Sequence, residues 1–301
     1  MHNNKTLLMG AITIAMCHSV AAQPDIYGKM NLTLHNKDNG SASIVELRNN
    51  YSRLGFRGSE SLDGNMEIIY QYELGINPDD DTTFTSRNSF LGIKAPWGTL
   101  KAGIFDTAFK SSQGKIDLFN DLVGDIGRVI SPNENRASNN ISYNTPKFAG
   151  GLVATVQYIA QEDEEIDDGV STSVTYNENN LHLGAAYDKD VEIVGFSAAR
   201  ITASYLAGNL RMGGLYENVE TDGDDATKSG WLISGLCNIE KWDLKVQHGS
   251  SDIVFDGGTS TSLGFNYKAT KSFSYTTYLT LNESDDGLDD TYLGAGGILK
   301  F

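Results

Sequence analysis

Apolar and polar residues alternate along almost the whole chain with a period of two, and a period of 3.6 is nearly absent. That spacing is the mark of strands with one greasy and one hydrophilic face. In residues 151–159, Leu152, Ala154, Val156 and Tyr158 oppose Val153, Thr155 and Gln157. In 273–282, Phe273, Tyr275, Leu279 and Leu281 oppose Ser274, Thr276, Tyr278, Thr280 and Asn282, and in 241–248 Trp242, Leu244 and Val246 oppose Lys241, Asp243, Lys245 and Gln247. The pattern runs to the last residue. Leu293, Ala295, Gly297, Leu299 and Phe301 share one face, while Gly294, Gly296 and Lys300 share the other with Ile298. Termini usually fray into water, so an apolar final strand predicts one that pairs with the first strand and leaves no open edge.

The connections alternate too. Short polar turns at 177–180, 208–209, 239–241 and 270–272 are interleaved with longer acidic loops at 162–168, 220–225 and 284–290. A bacterial outer-membrane barrel has this rhythm and an even number of strands; about sixteen can be counted between Asp25 and Phe301. The expected fold is therefore all-β, a transmembrane antiparallel β-barrel of about 16 strands forming one domain over residues 23–301. One connection is exceptional. Residues 106–135 separate two strands, and 115–124 within them predict a short helix. A long loop with structure of its own is usually functional, and in a wide barrel this third loop can fold inward and narrow the lumen.

Residues 1–22 read as a secretory signal, with Lys5 in the n-region, an apolar core over 6–16, and Ala21 and Ala22 before the expected cut. That core is too short for a membrane helix. Cys17 raises a lipoprotein alternative, which Met16 just before it disfavours. The formal net charge is −16, and Lys5 is the only charged residue of the leader. So acidic a chain has no basic stripe for nucleic acid. Cys237 is the one cysteine after the leader, so no intrachain disulfide is available.

Several segments carry a resemblance to a known family: Asp25-Ile-Tyr-Gly-Lys29; Ser52-Arg-Leu-Gly-Phe-Arg-Gly-Ser-Glu60; Arg87-Asn-Ser-Phe-Leu-Gly92 followed by Gly98-Thr-Leu-Lys-Ala-Gly103; Arg136-Ala-Ser-Asn-Asn-Ile-Ser-Tyr-Asn-Thr-Pro146; and the terminal Phe301. In order and spacing they resemble the Gram-negative general-diffusion porins of the outer membrane. The resemblance implies a sixteen-stranded homotrimer whose third outer loop crosses the pore, with arginines on the wall facing acids on the loop. By motif, the basic wall is Arg53, Arg87 and Arg136, with Arg57 beside them, and the acids of a 106–135 constriction loop are Asp117, Asp121 and Asp125. Phe301 matches the family's assembly signal. The loop lacks the Pro-Glu-Phe-Gly-Gly stretch of the enterobacterial members, which leaves open which acids line the eyelet.

Alternation supports the placement independently. Arg53 and Arg57 oppose Leu54 and Phe56, Arg87 opposes Phe90, and Arg136 opposes Ile141 and Tyr143. On the lipid side near mid-bilayer each cation would cost ~2–4 kcal/mol, so all are expected in the lumen. On alternate strands they would stand ~10 Å apart and need an opposing acid. A passive channel for small hydrophilic solutes and ions follows, with the excess acid of the loops and mouth favouring cations modestly, with outer-membrane lipid and lipopolysaccharide around it and with no cofactor or metal. The rivals are a substrate-selective porin, for which Tyr278 is the one aromatic lumen candidate, an outer-membrane enzyme, and a secreted adhesin. Acidic runs at 79–81, 222–225 and 285–290 lack the twelve-residue calcium-loop spacing. His35, His182 and His248 fit no metal or triad motif.

Overall fold

The computed structural model describes residues 23–79, 84–161, 167–191, 194–223 and 226–301. The expected leader at 1–22, Cys17 with it, lies outside the described residues, as do the loop positions 80–83, 162–166 and 224–225.

All strands belong to one antiparallel sheet that returns on itself. The first strand (Asp25–Asp38) pairs with the last (Asp289–Lys300) from Lys29↔Lys300 to Asp38↔Thr291. The ladder continues one step further, the Gly28 amide donating to the Phe301 carbonyl at 2.9 Å and the Phe301 amide to the Gly28 carbonyl at 3.1 Å. The sheet has 18 strand segments, but two staves are each interrupted once. Ser43–Asn49 and Arg53–Leu62 both pair with the first strand. Likewise Phe84–Ser86 and Ser89–Ala95 both pair with Met66–Ile76. The barrel therefore has sixteen staves.

The two faces sort as the alternation requires. On the first strand Ile26, Met30 and Leu34 are exposed on the outer surface, whereas Asn31, Thr33 and His35 are buried inside. Exposed apolar side chains recur on this outer face around the barrel, and hydrocarbon is the solvent that suits them. Near the short turns, outer-face aromatics pair up: exposed Trp97 stacks on Tyr143 at 6.4 Å, and exposed Trp242 leans on half-buried Tyr267 at 4.8 Å. Amphipathic rings favour that headgroup level. Phe301 lies on the outer face and covers Gly28, where a Cβ would meet its ring at 2.3 Å. Only glycine lets the terminal ring close over the seam.

The apolar core is not in the sheet but under the loop between Asp106 and Arg136. Phe109, Ile116, Phe119 and Ile126 are fully buried. Ile116, Ile126 and Ile130 pack on Leu215 and Leu232, Phe109 on Ala186 and Val219, and Phe119 with Leu122 on Tyr278. Burying each such side chain contributes roughly 1.5–3 kcal/mol. Inward polar side chains then take up the loop's backbone. Ala108 N donates to Gln157 Oε1 at 2.8 Å, Leu118 N to Gln247 Oε1 at 2.7 Å, and Ser251 Oγ to the Ile130 carbonyl at 2.7 Å. Gly264 makes room on the wall, since a Cβ there would sit 2.9 Å from the Phe119 ring.

The loop's helix is not where the sequence places it. Residues 115–124 form turns and bends, while the helix is Ala108–Ser112, followed by a 3-10 turn at Ile126–Arg128. Thr107 caps the helix by accepting from Lys110 N at 3.1 Å. Within 115–124, Asp117 instead takes the amides of Phe119 at 2.9 Å and Ile126 at 3.1 Å, and Asp121 adopts φ 74°. Short polar side chains that bond nearby amides compete with helix in this way.

Deleting Phe301 should lower the yield of heat-stable barrel severalfold while inserted molecules keep wild-type conductance; gel mobility of the folded form and single-channel recording check the two halves. Phe119→Ala should weaken loop anchoring by about 3–5 kcal/mol, seen as excess open-channel noise.

Candidate functional site

Three of the four expected wall arginines meet on one side of the lumen, and each stands at a slip in strand register. Along the first strand, Leu32 pairs with Asn49 but Lys29 with Arg53, so the second stave has one residue too many just before Arg53. Along Met66–Ile76, Leu74 pairs with Ser86 but Gln71 with Phe90, and Arg87 lies in that extra step. Gly103 pairs with Asn140 but Phe105 with Ala137, a third slip beside Arg136. An extra residue bends its strand and re-aims the side chains around it. The slip also reverses the inward parity on the second stave, so that Glu46 faces His35 inside and Arg53, seven residues on, faces Lys29 inside.

The arginines find acids close by, mostly on the wall itself. Arg87 Nε donates to Glu73 Oε1 at 2.7 Å, Arg53 Nε lies 4.0 Å from Glu73 Oε2, and Tyr27 Oη donates to the same carboxylate at 2.9 Å. Arg136 Nη2 is 3.0 Å from Asp106 Oδ1 and its Nε donates to Asn88 Oδ1 at 2.5 Å. Of the loop acids, Asp121 alone reaches across, 2.6 Å from Lys29 Nζ and 3.3 Å from Arg53 Nη1. Burial opposes its ionisation, yet Lys29 and then Arg53 hold its carboxyl below the usual carboxylate range. Glu73, Asp106 and Lys29 were not among the expected site residues. Glu73 and Lys29 occupy inward positions of alternating strands, a signal available in the sequence.

Three expected placements are corrected. Arg57 is inward but lies away from the cluster, with its side chain exposed and paired to Asp25 at 2.9 Å, because four strand positions carry it toward the short-turn end. Asp117 faces the loop's own backbone and Gln247, whose Nε2 donates to it at 3.1 Å. Burial, and then Asp125 nearby, push its pKa up to about 8. Tyr278 is no lumen contact for solutes, since it is buried beneath the loop with its hydroxyl 3.0 Å from His35 Nδ1. Asp125 borders the passage while accepting from Asp121 N at 2.9 Å and Gly127 N at 2.8 Å.

Between loop and arginine wall lies a cavity of about 800 Å³, room for roughly 25 waters at about 30 Å³ each. Five basic and five acidic side chains border it, so its formal charge is balanced. A second cavity of about 490 Å³ flanks the loop near Asp117, Arg211 and Lys245. Among the described residues no His, Cys, Asp and Glu are grouped to hold a metal.

A closed sheet with an apolar exterior and a charged, hydrated passage through it is an outer-membrane β-barrel channel. Residues 8–287 match the family model described as Gram-negative porin, and the chain belongs to that family. It is 25% identical over 275 residues to the major outer membrane protein P.IB of Neisseria sicca, covering 73% of this chain and 74% of that protein. With the P.IB protein of Neisseria gonorrhoeae it shares 24% over 211 residues, 63% of this chain and 60% of the relative. Among solved structures, an anion-selective porin from Comamonas acidovorans superposes with TM-score 0.74 at 19% identity, covering 93% of this chain and 99% of that one. A loop-deletion mutant of the Vibrio cholerae outer membrane protein OmpT gives 0.71 at 17%, with the same coverage. These likenesses agree on the fold. The protein is an outer-membrane porin of a Gram-negative bacterium.

The raised pKa of Asp117 has a testable sign. The folded state binds a proton that the unfolded chain has released, so this group's contribution falls as pH rises from about 4 to about 8. Asp117→Asn should therefore narrow the loss of thermal stability between acid and mildly alkaline pH, as read by melting curves in detergent.

Proposed function

We propose that the protein is a general-diffusion channel through which small hydrophilic solutes and ions cross the outer membrane passively. The observation that carries this reading is the cavity between loop and wall, bordered by ten charged side chains. Ions and dipolar solutes can exchange water for these groups, whereas an apolar solute would have to displace water that the charges hold. No chemical step is needed: passage is selected by width and charge.

The loop 106–135 is the constriction, with Arg53, Arg87 and Arg136 as its basic wall and Asp121 and Asp125 as its loop acids. Since the passage is balanced in charge, selectivity rests on the acidic excess elsewhere, at a chain total of −16. That excess favours cations modestly, and salt screens it, because charges in water fade beyond a Debye length of about 10 Å at 0.1 M. A homotrimer in a lipopolysaccharide-containing leaflet completes the reading. The experiment is reconstitution in a planar bilayer, where stepwise conductance is expected, in threes for a trimer; silence from folded protein would overturn it.

Two measurements test the electrostatics. The cation preference in a salt gradient should decline toward unity as total salt rises; an anion preference, or one indifferent to salt, contradicts it. Asp121→Asn leaves Lys29 and Arg53 without their loop partner and should shift the permeability ratio toward anions by roughly two- to fivefold.

A further inference from the structure

Tyr51 is the residue of the passage that the ion pairs do not explain. It sits in the extra step of the second stave with φ 53°, a left-handed conformation that is an outlier for a bulky side chain. Everything on either side of it is pinned. Asn50 is fully buried, its amide donating to the Asn31 carbonyl at 2.8 Å and its Nδ2 to Thr33 Oγ1 at 2.9 Å. Ser52 is buried, its amide donating to Asn49 Oδ1 at 3.0 Å, its hydroxyl accepting from Asn31 N at 3.0 Å and its carbonyl from Ile76 N at 2.8 Å. Tyr51 between them is 46% exposed. Strain held by a surrounding network and concentrated on one exposed side chain points to a role for that side chain.

The ring is also alone in kind. Tyr51 borders the 800 Å³ cavity, and among the described residues that line it no other is aromatic. The guanidinium of Arg87 lies 5.9 Å from the ring centroid, within cation–π reach, which steadies the ring beside Glu73. A solute in this passage therefore meets one aromatic face, with five basic and five acidic side chains elsewhere on the same wall. The chemistry that matches both is a ring with an apolar C–H face and a rim of hydroxyls.

We propose that Tyr51 is a specificity-determining contact of the channel, a ring presented by the backbone bulge to the C–H face of pyranose sugars in transit. The inference rests on the diffusion-channel reading and adds a solute preference to it. It makes this a pore that senses ring shape weakly, without a closed binding pocket.

The test compares maltose with sorbitol and with glucose by their reduction of ion current through single reconstituted channels at matched osmolality. Wild type should be reduced more by the pyranoses than by the open-chain polyol, by about two- to tenfold in apparent affinity, the range of a single aromatic contact. Tyr51→Phe keeps the ring and should keep the difference. Tyr51→Asn suits the left-handed backbone and should abolish it, with folding checked by gel mobility and each sugar effect read relative to that variant's own ion current. Should Tyr51→Asn discriminate as wild type does, or change sugar and polyol effects equally, Tyr51 only sets width and the proposal fails while the channel reading stands. Absence of ion conductance in the wild type would remove both.

Discussion

A polypeptide in hydrocarbon must satisfy every backbone amide and carbonyl from within, and here that requirement is met by returning the sheet to its own first strand. The seam is tight: ten paired positions join the first and last strands, and the amide and carbonyl of Phe301 reach Gly28 beyond them. Because the outer solvent is apolar, the usual sorting is reversed, with greasy side chains facing out and serine, threonine, asparagine and glutamine facing in. The lumen wall is therefore a hydrogen-bonding surface, and the loop lying on it must be paired as carefully as the strands.

The loop uses that surface on one side only. Its isoleucines and phenylalanines sink against Ala186, Leu215, Leu232 and Tyr278, all from later staves. Arg200 reinforces the attachment: fully buried, it joins Glu217 at 2.6 Å and the loop's Glu134 at 2.8 Å, with its guanidinium over the Phe109 ring at 4.3 Å. A buried ion network of this kind is weak evidence for net stability, but removing one partner strands the others. The earlier staves, which carry Arg53, Arg87 and Arg136, are left facing an open passage. The asymmetry of the pore thus follows from where the loop finds its apolar seat.

The barrel was legible in the sequence because a period of two leaves a mark on every strand, and because turns and loops alternate in length. Register slips left no such mark. The interruption at Asn50-Tyr51-Ser52 is held by Asn49 beside it and by Asn31 and Thr33, and those last two partners lie on the first strand, well back along the chain. For the same reason the loop acids could be counted but not ranked. Asp117 and Asp121 are four residues apart, yet one serves the loop's own amides and Gln247, and the other bridges to Lys29. Glu73 could have been found, as it alternates inward on its strand, whereas the pairing of Arg87 with it depends on the slip that no residue type announces. The helix expected at 115–124 failed because Asp117 within it and Asp125 just beyond bond local amides instead of leaving them to a helical ladder.

Lys29 belongs to two structures at once. Its backbone pairs with Lys300 at the seam, and its ammonium holds Asp121 of the loop. The residue that helps close the cylinder is therefore also one that fixes where the loop lies against the wall. A chain whose ends are not yet joined therefore lacks the backbone pairing that holds Lys29, and with it the loop contact, in register.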